Sequence, residues 1–236
     1  MEITLVKLGG GLIAPKDWEP ETADRKTIVR LVREIKESDK KVLIVSGSGN
    51  FGHMAVKKYG VTTVEGVMKV RESAKKIGKI VVLEMRSQGF DAELIEPNKY
   101  FGRKRKLNLD KTLVFYGDVV GKEIYSGERI IKLLVPEVLK QGQKVELIVQ
   151  VSKEEGVWDE NAQIIPEINI SNWGRIKMKV GGSAGVDVTG GMLHKVEESL
   201  EIAQKYKINT WIISGKVERR LKEVLEGGKT VGTKIC

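Results

Sequence analysis

The chain reads as an α/β protein, a three-layer sandwich with a central, mostly parallel sheet. Two observations predict this. Short β-type apolar runs alternate with amphipathic stretches of crossover-helix length, as a parallel sheet covered on both faces requires. Two early runs also break into glycine-rich backbone, at Lys7-Leu8-Gly9-Gly10-Gly11 and at Val45-Ser46-Gly47-Ser48-Gly49-Asn50-Phe51-Gly52-His53. In such sheets ligands gather at the carboxyl ends of the strands.

The elements follow in order. Ile3, Leu5 and the Lys7-Gly run make a first strand entering a glycine turn. Ile28, Leu31, Val32 and Ile35 stand at i, i+3, i+4 and i+7, the stripe of an amphipathic helix. Residues 42–45 are a compact buried strand. A helix is expected over 52–59 with Gly60 as its stop, and a longer one over about 70–88, through Ala74, Ile77, Val81 and Met85 to Gly89. Residues 92–95 form a short strand closed by Pro97. Residues 112–116 and Val119-Val120 flank Gly117-Asp118 like a hairpin or strand bend. Residues 127–139 have a helical pattern, which Pro136 should kink or interrupt. The remaining expectations are strands at 144–151, 208–213 and 231–235, and helices at 190–206 and 217–225.

The 236 residues suffice for one large domain, 1–236, and no linker or repeat divides them. Its sole cysteine, Cys236, excludes a disulfide framework or a cysteine-built metal site and fits a reducing, cytoplasmic setting. The N-terminal residues lack the order of a signal peptide, and the longest apolar runs, such as 145–151, are too short to span a bilayer, so no membrane partner is expected. The net charge of +9 raises the question of nucleic acid. Its densest cluster, Arg103-Lys104-Arg105-Lys106, has few aromatics beside it and reads as a solvated loop. A nucleic-acid partner is therefore not expected, and the positive surplus suits small anionic substrates equally well.

The glycine segments carry the chemistry. Glycine lets backbone N–H groups approach an anion closely, and here two such segments bring Lys7 and His53 with them. This suggests two phosphates handled at one place, and hence phosphoryl transfer. Lys7 on its own could be a surface lysine and His53 a helix-start residue; the adjoining glycines favour ligand roles for both. No Walker P-loop or dinucleotide Gly-x-Gly-x-x-Gly is present, and no His/Asp/Glu cluster suggests a protein-held metal.

Taken in order, Lys7-Leu8-Gly9-Gly10, Asn50-Phe51-Gly52-His53, Gly117-Asp118-Val119-Val120, Gly156-Val157-Trp158-Asp159, Asp187-Val188-Thr189-Gly190-Gly191-Met192 with Lys195, and Gly232-Thr233 resemble the amino acid kinase superfamily. Within it the isopentenyl phosphate kinase branch, which serves isoprenoid synthesis, is the best match. The resemblance implies the amino acid kinase fold, with an acceptor-binding part over 1–140 and a nucleotide-binding part over 141–236. It implies ATP-dependent phosphorylation of isopentenyl phosphate by a homodimer, with Mg2+ held mainly by the phosphates. Lys7 and Lys16 would bracket the transferring group, Lys16 stabilising the transition state, with His53 and Glu128 completing the catalytic set. Gly9, Gly10, Gly11 and Gly49 would lend amides to the ATP phosphates, while Gly47, Ser48 and Gly127 border the acceptor phosphate and His53 bonds to it. Gly191 and Lys195 would hold the nucleotide, with Ser152, Gly156, Trp158 and Asp159 on its base and ribose side. The helix over 70–85 would wall a pocket for the isoprenoid tail, and His194 is read as incidental.

The chain departs from the pattern at Gly11, Ser46, Ser48, Glu128 and Ser152-Lys153, where serine, His-Gly-Gly-Gly glycines, aspartate and Thr-Asp are expected. These departures keep open a same-fold kinase for another small phosphate or phosphonate, such as fosfomycin or UMP. They equally keep open a non-catalytic nucleotide-binding protein, and an RNA-binding module is a weaker rival.

Overall fold

The computed structural model describes residues 1–101, 106–182 and 190–236. Strand β1 (Glu2–Leu8) sits at the centre, with β2 (Val42–Ser46), β4 (Thr112–Tyr116) and β3 (Ala92–Leu94) on one side. On the other side follow β7 (Lys144–Ser152), β9 (Thr210–Ser214), β10 (Thr233–Ile235) and β8 (Glu167–Ile168). Neighbours pair in parallel except β9 with β10. The sequence pattern predicted β1, β2, β4, β7 and β9 within a residue or two. β8 has only two residues, too few to show a period.

Alternation along β1 decides what faces what. Val6 and Leu8 enter one core with Ile28, Leu31, Val32 and Ile35 of helix α2 (Arg25–Glu37) and Ile77, Val81 and Met85 of helix α4 (Val64–Ser87). Ile3 and Leu5 enter the opposite core, against Ile130, Ile131, Leu134, Val135 and Val138 of helix α6 (Gly127–Lys140). Lys7, two residues beyond Leu5, therefore points to the α6 side. Burying the four apolar residues of α2 favours folding by roughly 6–12 kcal/mol before entropy is charged.

Helix ends follow local chemistry. The Asp24 carboxylate accepts from Thr27 N–H at 3.0 Å to start α2, Thr63 Oγ1 accepts from Gly66 N–H at 3.0 Å to start α4, and Ser126 Oγ accepts from Arg129 N–H at 3.1 Å to start α6. α4 thus begins six residues before the expected start, because Thr63 caps it. The second glycine segment is also shorter than expected: helix α3 (Gly49–Tyr59) starts at Gly49. Gly10 and Gly11 open a single helical turn, α1 (Gly10–Ile13).

Three local details go beyond the sequence reading. The hairpin pairs β5 (Asp118–Val120) with β6 (Glu123–Tyr125) across Gly121-Lys122, since Gly121 has φ +62°; Gly117 instead links β4 to the hairpin. Pro97 starts a short helix, α5 (Pro97–Tyr100), as its fixed φ allows. α6 runs unbroken through Pro136. Helix α7 (Ile170–Gly182) has no counterpart in the sequence reading; α8 (Gly190–Tyr206) and α9 (Arg220–Leu225) do. Of the basic cluster, Arg103, Lys104 and Arg105 lie outside the described residues, as do Asp187, Val188 and Thr189.

Candidate active site

The first two glycine segments meet above the carboxyl ends of β1 and β2. Their backbones are in contact: a side-chain carbon on Gly10 would strike Gly49, and one on Gly47 would strike Gly10. Gly49 also takes φ +48°, which only glycine adopts freely. Gly9 N–H donates to Val151 O at 2.8 Å, extending the β1–β7 pairing into the bend, and Gly47 N–H donates to Leu8 O at 2.8 Å.

Around these bends lies a cavity of about 460 Å³. Its floor is Gly9, Gly10, Gly11, Gly47, Ser48 and Gly49. Lys7, Lys16, His53, Gly127 and Glu128 line it from β1, the loop after α1, α3 and α6, while Ser152 comes from β7 and Gly191 and Lys195 from α8. The remaining three expected residues lie elsewhere. Gly156 packs on Thr233, whose Oγ1 accepts from Val157 N–H at 2.8 Å. Trp158 bridges Ile164, and the Asp159 carboxylate accepts from Asn161 and Gln163 N–H, both at 2.8 Å, closing its own loop. Asp159 borders a separate hollow with Asn172 and Arg175.

Lys7 Nζ donates to Glu128 Oε1 at 2.7 Å, both side chains being buried. Burial alone would raise the Glu128 carboxyl, but the charge and hydrogen bond of Lys7 outweigh it and hold the carboxyl well below the usual carboxylate range. Lys195 is pushed down to about 8, first by burial and then by the positive charge of Lys7. Of the site lysines, Lys7 alone is ion-paired among the described residues.

Lys16 is exposed, on a loop fixed from below. Asn50 Nδ2 donates to Pro15 O and Thr22 O, each at 2.9 Å, and Asn50 N–H donates to Ala14 O at 2.9 Å. Lys16 thereby stands close enough to His53 to act on it. Partial desolvation of the His53 ring, and then the Lys16 charge, lower the imidazole below its ordinary value.

Part of the cavity lining is apolar: Val56 from α3, Val70 and Ala74 from α4, Val119 and Ile124 from the hairpin. Only the first half of the expected α4 wall serves, because Met85 is buried in the core. Arg71 Nε donates to Val119 O at 2.7 Å, and Arg129 lies 4.0 Å over the Tyr125 ring, so the hairpin is tied to both α4 and α6. Asp118, at the hairpin root, is almost fully buried with Oδ1 unpartnered and Oδ2 accepting from Asn98 N–H at 3.2 Å. Burial, only partly offset by the hydrogen bonds of Val119 and Asn98, raises its carboxyl to about 6.

Sequence reasoning missed Ser126, Lys153, Glu154 and His194, all of which line the cavity. For His194 the signal was its place on the α8 stripe four residues before Glu198; for Lys153 and Glu154 it was their position at a strand end. What the arrangement can do follows from its parts. Bare amides and ammonium groups without an ion-pair partner among the described residues suit several phosphate oxygens, and the adjoining apolar recess suits a short hydrocarbon.

The amino acid kinase family profile matches residues 2–214. The chain is 26% identical to an isopentenyl phosphate kinase of Methanocaldococcus jannaschii, across 99% of this chain and 98% of that protein. It is 28% identical to an isopentenyl phosphate kinase of Haloferax volcanii, across 86% and 89%. A solved structure described as isopentenyl phosphate kinase superposes with a TM-score of 0.77 at 22% identity, covering 99% of this chain and 100% of that one, a likeness of fold.

Proposed function

The chain belongs to the amino acid kinase family, and we propose that it transfers the γ-phosphoryl group of ATP to isopentenyl phosphate, giving isopentenyl diphosphate and ADP. The observation that carries this reading is the single cavity in which two touching glycine bends, Lys7, Lys16 and Lys195 adjoin an apolar recess. Relatives named isopentenyl phosphate kinase, aligned over nearly the whole of both chains, support it.

An acceptor oxygen attacks the γ-phosphorus while the bond to the β-bridging oxygen breaks, and ADP leaves with that electron pair. The acceptor is a phosphate monoester, anionic near neutral pH, so no strong general base is needed. A neutral His53 serves as a hydrogen-bond donor that places the acceptor phosphate. Lys7, fixed by Glu128, and Lys16, on its pinned loop, offer positive charge where the equatorial oxygens gather negative charge. The bends of residues 9–11 and 47–49 supply amides. Residues 1–140 would handle the acceptor and 141–236 the nucleotide.

Magnesium would enter with ATP and stay on its phosphates. Among the described residues no group of three or more His, Cys, Asp or Glu could hold a metal; the cavity's carboxylates are Asp118, Glu154 and the Lys7-bound Glu128, and they share it with Lys7, Lys16, Lys153 and Lys195. No step is therefore assigned to a protein-held ion. No described helix is long and apolar enough to cross a membrane; we take the enzyme to be a cytoplasmic homodimer, which light scattering tests for stoichiometry.

An acceptor panel tests the substrate. ADP release should be fastest with isopentenyl phosphate; release with UMP or fosfomycin and none with isopentenyl phosphate would overturn the assignment.

A further inference from the structure

Helices α6 and α8 lie side by side on one face of the sheet. Lys132 of α6 bonds Glu198 at 3.0 Å and Glu201 at 2.5 Å on α8. His194 stands one turn before Glu198 on the same stripe, at i, i+4 and i+7 with the two glutamates. Its Nε2 is 3.4 Å from Ser126 Oγ, which also accepts from Arg129 N–H to cap α6. The seryl proton is thus free to go to an unprotonated Nε2. Among the described residues this is the side-chain bond that ties the first turns of α8 to α6.

Each end of the bond sits next to working residues. Gly191 and Lys195 share the first turns of α8 with His194. Gly127 and Glu128 directly follow Ser126, and both touch Lys7: Glu128 through the ion pair, Gly127 by packing so closely that any side chain there would run into the Lys7 stem.

We propose that His194 is a positioning residue that couples the two substrates of this site. Nucleotide held by the α8 turns fixes His194, His194 fixes the Ser126 cap, and the cap sets Glu128 and Lys7 for the acceptor. By reciprocity the acceptor must raise nucleotide affinity by the same factor. The inference rests on the kinase reading above and adds to it a route by which occupancy of one half is felt in the other.

The test measures binding of isopentenyl phosphate by calorimetry, with and without an unreactive ATP analogue. The wild-type chain should show coupling of about 5-fold or more. His194→Ala should bring the coupling close to 1, and His194→Gln, which can still bond Ser126, should restore part of it. Equal coupling in wild type and His194→Ala would overturn the proposal, as would loss of each binary affinity with coupling intact.

A second arm needs the analogue alone. Bound analogue should slow hydrogen exchange at the first α6 amides, residues 129–131, in wild type and not in His194→Ala, while α8 stays protected in both. Unchanged α6 protection in the variant would overturn the proposal. If isopentenyl phosphate fails to bind, the acceptor assignment falls and this arm still decides the role of His194.

Discussion

Lys7 and Glu128, 121 residues apart in sequence, form a buried ion pair of 2.7 Å where the central strand meets the start of α6. The pair is possible because Lys7 continues the Ile3–Leu5 side of β1 and Ser126 starts α6 one residue before Gly127. A charge so placed is costly to strand: truncating one partner of a buried pair typically costs about 3–5 kcal/mol.

Glu128→Gln should therefore lower stability by roughly 3 kcal/mol at neutral pH, read by urea unfolding. Because the folded carboxyl is held below its ordinary 4.5, its contribution is complete above that pH and disappears as the pH falls through the folded value. The difference between wild type and variant should thus shrink on acidification. A difference constant down to pH 2 would contradict the pairing.

Lys195, at about 8, is only half protonated in the empty site near that pH. A bound triphosphate raises it, so nucleotide binding at pH 8 should take up about half a proton per site. Calorimetry in buffers of different ionisation enthalpy reads this directly. Lys195→Met should abolish the uptake along with much of the affinity.

Lys16→Ala should reduce kcat by about 100-fold or more and change ATP affinity by only about 2-fold, since its contact forms chiefly with the migrating group. His53→Ala should instead raise the KM for the acceptor by about 10-fold, the value of one hydrogen bond to an anion. Steady-state kinetics with each substrate varied separates the two. The reverse assignment of effects would exchange the roles.

Asp118 offers a test of opposite sign. Its carboxyl binds a proton more readily folded, near 6, than unfolded, near 3.8, so stability falls as pH rises through that window. Asp118→Asn should remove the fall, gaining on wild type by on the order of 2–3 kcal/mol between pH 4 and pH 7 in urea unfolding.

Much of this was legible in the residues. The stripe from Ile28 to Ile35 and the run at 42–45 fixed α2 and β2, because burial on one face imposes a period. The touching bends were legible as glycine, since no other residue tolerates the Gly10–Gly47 approach. Less local facts were not. The hairpin turned at Gly121 because residues 123–125 pair back on β5, a choice made by tertiary context. Asp159 had motif spacing, yet its Oδ1 accepts from Asn161 and Gln163 N–H of its own loop. His194 reads as incidental in the sequence because its partner, Ser126, is 68 residues away.

The mutual contact of Gly10 with Gly47 and Gly49 also bears on how such an enzyme could change over time. On the proposed kinase reading, the spacing between incoming and departing oxygens would be set by main chain, a dimension that amino-acid replacement in the surrounding wall leaves alone. The recess of Val56, Val70, Ala74, Val119 and Ile124 can accordingly be remodelled for longer or bulkier guests without retuning the hop itself. New acceptors should be reachable by redesigning those five positions together, since Val70, Ala74 and Val119 are buried and must be repacked as a set.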